Sequence, residues 1–131
     1  MNKTLIFASL GVFLLVSGPD AEARVKPGFE QKGIASYYHD SLHGRKTASG
    51  AIYNKNIPSA AHKTLPLGSK VRVTDTKTGK SIVVKVNDRG PFVKGRIIDL
   101  SRSAARELGM IKKGLAKVEV EVLSVPKPSG S

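Results

Sequence analysis

The chain has no cysteine in its 131 residues, which excludes disulfides, thiolate catalysis and a lipid-bearing N-terminal cysteine. Acids are scarce: 10 aspartates and glutamates stand against 22 lysines and arginines. Long hydrophobic runs are scarce as well. The main one, "LIFASLGVFLLV" from Leu5 to Val16, falls short of the roughly 20 residues that a bilayer span requires. Lys3 precedes it and "AEA" at Ala21 to Ala23 follows it, the order of a secretory signal peptide cut before Arg24. We therefore expect an exported protein, periplasmic or extracellular, with no stable membrane anchor. Aromatics make up only 5% of the chain and are not interleaved with bases as single-stranded nucleic acid requires, so no nucleic-acid partner is expected.

What is abundant is positive charge. Beyond residue 23 the chain keeps 21 basic and 8 acidic residues, a net +13 over 108 positions. That length fits one domain with one modest core. The charge draws the protein towards a polyanion, and for an exported chain the cell wall is the accessible one.

The pattern along the chain is that of short strands. Residues 24–32 read as a lead-in. "GIASYY", Gly33 to Tyr38, reads as a first strand with Ile34, Ser36 and Tyr38 on one face. "HDSLHGRKTASG" is polar and glycine-bearing, an exposed loop. "IPSAAH" precedes a turn at Pro66 to Gly68. "KVRVTD" and "SIVVKVN" flank "TKTGK", which predicts a β-hairpin. "GRIIDLS" is a further strand. "SRSAARELG" offers Ser101 or Ser103 as N-cap and Gly109 as stop, a short helix. "AKVEVEVL" alternates cleanly and predicts a last strand with its valines buried. Residues 124–131 read as a disordered tail, too polar and proline-rich to pack. About six short strands in so small a chain must hide their edges, which points to a closed or nearly closed barrel.

Few motifs carry chemistry. "TGKS" at Thr78 to Ser81 lacks the upstream glycine of a phosphate loop and lies in a hairpin, so it is a turn. His39 and His43 are four apart, but Gly44 and the polar surroundings argue against a helix, and no metal site is expected. Among the acids, Asp40 and Asp75 read as loop residues and Glu119 and Glu121 as the wet face of the last strand. Asp88 and Asp99 remain, each beside a strand and close to Arg89 or Arg96. Turn structure alone accounts for both, with Asp88 capping turn amides and Asp99 pairing with Arg102 before the helix. Yet "VKVNDRGPF", Val84 to Phe92, sets a carboxylate on a turn stiffened by Gly90 and Pro91, where it can be held rigidly.

Several longer strings, "ASYY", "HGRKTASG", "AAHKTLPLGSKVRVTD", "VNDRGPFVKGRIIDLSRSAARELGM" and "VEVEV", resemble the rare lipoprotein A (RlpA) family from about Gly33 to Leu123. The resemblance implies an all-β fold, a small six-stranded double-psi β-barrel with one short helix over residues 33–123. It also implies endolytic lytic transglycosylase action on peptidoglycan glycan strands, as a monomer and without a cofactor. The family's proposed histidine and aspartate carry over to His62 and Asp88, the expected catalytic pair. Its glutamate does not, because Ala51 follows Thr47-Ala48-Ser49-Gly50. The chain also lacks the C-terminal sporulation-related repeat of many members, and His39 stands where they usually have glycine. Asp99, in "DLS", resembles the catalytic aspartate of expansin-like relatives. Asp99, Arg89, Tyr37, Tyr38 and Arg45 are the expected substrate-binding residues, the tyrosines as a flat surface for a sugar ring. A lytic transglycosylase uses the sugar's own C6 hydroxyl as nucleophile, so one carboxyl, expected to be Asp88 with Asp99 as the alternative donor, can act as acid and then base. Ala51 leaves two readings open, a lytic enzyme or a module that binds glycan without cutting it.

Overall fold

The computed structural model describes residues 25–127. The expected signal peptide at 1–23 and the last residues of the expected tail lie outside the described residues. Within them the strands are β1 (Glu30–Tyr37), β2 (Ala60–His62), β3 (Lys70–Asp75), β4 (Ser81–Asp88), β5 (Arg96–Leu100) and β6 (Ala116–Ser124), with one helix, α1 (Arg102–Leu108), between β5 and β6. They close into a barrel in the order β1-β5-β2-β4-β3-β6. Closure removes the exposed edges that strands this short could not otherwise protect. β1–β5 and β2–β4 pair in parallel, and the other neighbours are antiparallel.

Alternation builds the core. Val118, Val120 and Val122 of β6 are buried, as are Val71 and Val73 of β3, Val84 and Val86 of β4, and Ile98 and Leu100 of β5. The intervening positions of β3 and β6 carry Arg72 and Glu121, paired across the strands at 2.9 Å. α1 begins at Ser101, whose Oγ accepts the Ala104 amide at 3.3 Å. It ends at Gly109, whose φ of 80° is the left-handed conformation that glycine adopts without a Cβ clash. Ala104, Ala105 and Leu108 turn inward and join the barrel's hydrophobic core.

Some local expectations change. The lead-in is not separate: β1 starts at Glu30, and Gly28 and Phe29 already exchange backbone bonds with Val122 at 2.8 Å. The tail packs further than its composition suggests, because β6 runs to Ser124 and Val125 lies against the core. Asp75 is no loop residue. It is buried, and its carboxylate accepts the Lys77 and Thr78 amides at 2.8 and 3.2 Å and the Lys113 ammonium at 2.8 Å. The polarity of "TKTGK" concealed this, since the acid closes the hairpin from beneath.

Two register shifts matter for function. Between β2 and β4 the partners are Ala60↔Val86 and then Ala61↔Asp88, so Asn87 is an extra residue on β4. Between β1 and β5 they are Ile34↔Arg96 and then Ala35↔Ile98, so Ile97 is the extra residue. A bulge of this kind turns the side chains beyond it to the other face. In strict alternation Asp88 would follow Val84 and Val86 into the core. The Asn87 bulge turns it outward.

Candidate active site

The bulges align one row of residues across four neighbouring strands. Ser36 of β1 faces Asp99 of β5, Asp99 faces Ala61 of β2, and Ala61 faces Asp88 of β4. Two carboxylates thus flank one alanine. Their Cα atoms are about 9–10 Å apart by the spacing of adjacent strands. The small side chain of Ala61 leaves room above it, and Tyr38 and Tyr53 fill part of that room, their ring centroids 4.4 Å apart. Tyr53 is anchored in turn by its hydroxyl, which accepts the Arg102 amide at 3.1 Å.

Asp88 is held by three donors. The Tyr38 hydroxyl donates to Oδ2. The amides of Ala48 and Arg89 each donate to Oδ1 at 2.9 Å. The turn-capping role expected from the sequence is therefore present, but one of the caps reaches across from the 39–50 loop. Burial and the bond to Asp88 push the Tyr38 phenol well above its ordinary range, which keeps it a donor. Asp99 accepts from Ser36 Oγ, not from Arg102, whose guanidinium instead meets Asp40 at 3.4 Å. Burial pushes the Asp99 carboxyl up, the Asp88 charge adds to this, and Ser36 and Arg96 oppose it, leaving the net direction upward.

Both carboxylates line one cavity of about 400 Å³. Arg45, Lys46, Arg89 and Arg96 supply positive charge around it, and Tyr38 and Tyr53 form part of its wall. Phe92, 80% exposed, stands on its lip after the Gly90-Pro91 turn. The structure therefore brings together Asp88, Asp99, Arg89, Tyr38 and Arg45 from the expected set.

Two expected residues lie elsewhere. β1 ends at Tyr37, one residue before the expected end of the strand, and the two tyrosines part there: the Tyr37 hydroxyl donates to the Ile111 carbonyl at 2.8 Å while the Tyr38 hydroxyl reaches Asp88. The pair does not form one flat surface. His62 is 3% exposed and does not line the cavity. Its Nδ1 accepts the Thr64 and Leu65 amides at 3.1 and 3.2 Å, and its Nε2 meets Gln31 Oε1 at 2.8 Å. Burial first, then the charges of Arg89 and Lys63, push its imidazole down to about 4. His39 and His43 are turned to separate tasks, His39 Nδ1 capping the Ser41 amide and His43 Nδ1 the Lys55 amide, each at 3.1 Å.

Sequence reasoning missed Ser36, Tyr53, Ala61, Arg96 and Phe92. A usable signal existed for Phe92, a large aromatic placed directly after a glycine-proline turn. Ala61 carried none, because its importance lies in being small between two acids that are distant in sequence.

Position 51 is exposed and does not line the cavity. The loop that bears it contributes backbone instead. The Ala51 carbonyl accepts the Thr47 amide and hydroxyl at 2.8 and 2.7 Å, closing the turn that presents the Ala48 amide to Asp88.

A family model described as lytic transglycolase matches residues 30–120. The chain is 57% identical over 100 residues to the endolytic peptidoglycan transglycosylase RlpA of Pasteurella multocida, covering 76% of this chain and 34% of that one. It is 53% identical over 102 residues to the protein of the same name from Vibrio cholerae, covering 78% and 39%. The chain thus spans little more than a third of the length of these relatives. Among solved structures it is similar to the Streptomyces papain inhibitor, with a TM-score of 0.63 and 24% identity over 75% of this chain and 97% of that one. An expansin of Clavibacter michiganensis, solved in complex with cellohexaose, gives a TM-score of 0.57 and 20% identity over 76% and 53%. At these identities the two structures bear on the fold alone, which is the double-psi β-barrel. With the family model covering the whole barrel from its first strand into its last, the chain belongs to the RlpA family of lytic transglycolases.

Proposed function

We propose that this protein is an endolytic peptidoglycan lytic transglycosylase. It cleaves the β-1,4 bond between N-acetylmuramic acid and N-acetylglucosamine and leaves a 1,6-anhydro end, acting on peptide-poor glycan strands. The observation that carries the reading is the placement of Asp88 and Asp99 on either side of Ala61 in one cavity. The names of the relatives, endolytic peptidoglycan transglycosylases, support the same reaction.

The two acids divide the work. Asp99, whose carboxyl is pushed up by burial and by Asp88, holds the proton and gives it to the departing glycosidic oxygen. As the bond from C1 to that oxygen breaks, the C6 hydroxyl of the same sugar attacks C1 and loses its proton to Asp99. The carboxyl is thereby restored, and no external nucleophile is required. Asp88, fixed by Tyr38, Ala48 and Arg89, faces the positive charge that builds on the sugar ring. Arg45, Lys46 and Arg96 meet the lactyl carboxylates of the glycan. Because residue 51 does not line the cavity, its lack of a carboxyl leaves this pair intact. The reading includes export through residues 1–23 and action as a monomer without a membrane anchor.

The test is mass spectrometry of peptide-stripped sacculi incubated with the purified protein. Anhydro-muramic products are expected from the wild type and should vanish in Asp99→Asn while sacculus pull-down persists. Wild-type protein that binds sacculi but releases no anhydro product would end the proposal.

A further inference from the structure

The buried imidazole of His62 is fully used by its surroundings. Two backbone amides, from Thr64 and Leu65, point at Nδ1. A ring nitrogen that accepts two N–H groups carries no proton, so the neutral ring bears its hydrogen on Nε2 and donates it to Gln31 Oε1. This assignment follows from the hydrogen-bond network. The ring is 3% exposed and lines no part of the cavity, so a sugar held there does not touch it.

The turn that the imidazole gathers has a second task. Arg89 Nη1 donates to the carbonyls of His62 and Leu65 at 3.2 and 2.6 Å. Arg89 lines the cavity and gives its own backbone amide to Asp88 Oδ1. An unbroken series of contacts therefore runs from Nδ1 through the 62–65 turn to the guanidinium, and from there to the carboxylate.

We propose that His62 is a positioning residue. Its Nδ1 pins the Thr64–Leu65 turn so that the carbonyls of His62 and Leu65 hold Arg89, and with it Asp88, in the wall of the cavity. The imidazole acts as a hydrogen-bond acceptor and transfers no proton. The activity readout below rests on the transglycosylase reading, whereas the spectroscopic readout does not.

The experiment compares His62→Asn, His62→Gln and His62→Ala with wild type in the full protein. Asparagine places Oδ1 where Nδ1 stands and can accept the same two amides. Glutamine reaches only the Nε2 position. We expect nitrogen-15 spectra of the wild type to show a bare Nδ1 and a protonated Nε2. Separate Arg89 guanidinium signals should be present in wild type and His62→Asn and merged in His62→Gln and His62→Ala. Release of anhydro products should fall about 100-fold in the Gln and Ala variants, as expected for a misplaced catalytic group. The Asn variant should recover at least about tenfold of that loss with the pH profile of kcat/KM unchanged in shape. An Asn variant as inactive as Gln, a lost limb of the pH profile or a proton on Nδ1 would each overturn the proposal. Should His62→Ala fail to fold, the Asn and Gln pair still decides. Should the wild type release nothing, the transglycosylase reading fails and the spectra alone judge the role of His62.

Discussion

Acidification provides a sharp test of how His62 is built into the barrel. The folded protein holds the imidazole down to about 4, chiefly by burial and further through the charges of Arg89 and Lys63, whereas an unfolded chain returns it to about 6.5. Between those values the unfolded state binds the proton and the folded state does not, so stability falls as the pH falls. The contribution is complete above about pH 6.5 and is lost progressively towards pH 4. A gap of that width amounts to about 3 kcal/mol, a large share of the roughly 5–15 kcal/mol that stabilises a domain. Other acids titrate nearby. Asp99, pushed up in the fold, gains stability as pH falls over part of the same range. Asp75, held down, loses it at still lower pH. Urea titrations of wild type and His62→Asn side by side remove both terms, since each is shared. The advantage of wild type over the variant should shrink by about 3 kcal/mol from pH 7.5 to pH 4. Parallel stability curves across that range would refute the reasoning, because they would mean that the ring is solvated or charged in the fold.

Four further outcomes follow from the structure. Asp75→Ala removes the acceptor of two turn amides and of Lys113 and should cost about 2–3 kcal/mol in thermal unfolding. Lys113→Met should cost less, because that lysine side chain is 41% exposed and solvent screens the pair. Gly33→Ala would set a Cβ 2.6 Å from Ile97 Cγ2, where a β-branched side chain cannot swing away. A loss of about 1–3 kcal/mol is expected, and a double-mutant cycle with Ile97→Ala should recover part of it. Phe92→Ala should leave stability within about 0.5 kcal/mol, since the ring is 80% exposed. It should weaken pull-down on peptide-stripped sacculi by about three- to tenfold, the worth of one ring face against a sugar.

Much of the barrel was legible because its signals are local. The β3–β4 hairpin, the caps of α1 at Ser101 and Gly109, and the alternating valines of β6 all stand where spacing predicts them. The same period of two could have separated Tyr37 from Tyr38. The positions of His62 and Asp75 were not legible, because each is a polar residue whose partners, Gln31 and Lys113, lie more than thirty residues away. Nothing in "SAAHKTL" distinguishes an imidazole that faces a sugar from one that holds a turn.

By itself, the amino-acid order determined the strands, the helix, the positive charge and the two acids worth considering. Only the closed barrel decided what those acids face. Alternation along β4 assigns Asp88 to the side of Val84 and Val86, and the extra residue at Asn87 reverses that assignment through pairing with β2. Register between strands is a contact between distant segments, and no periodicity within either segment can encode it.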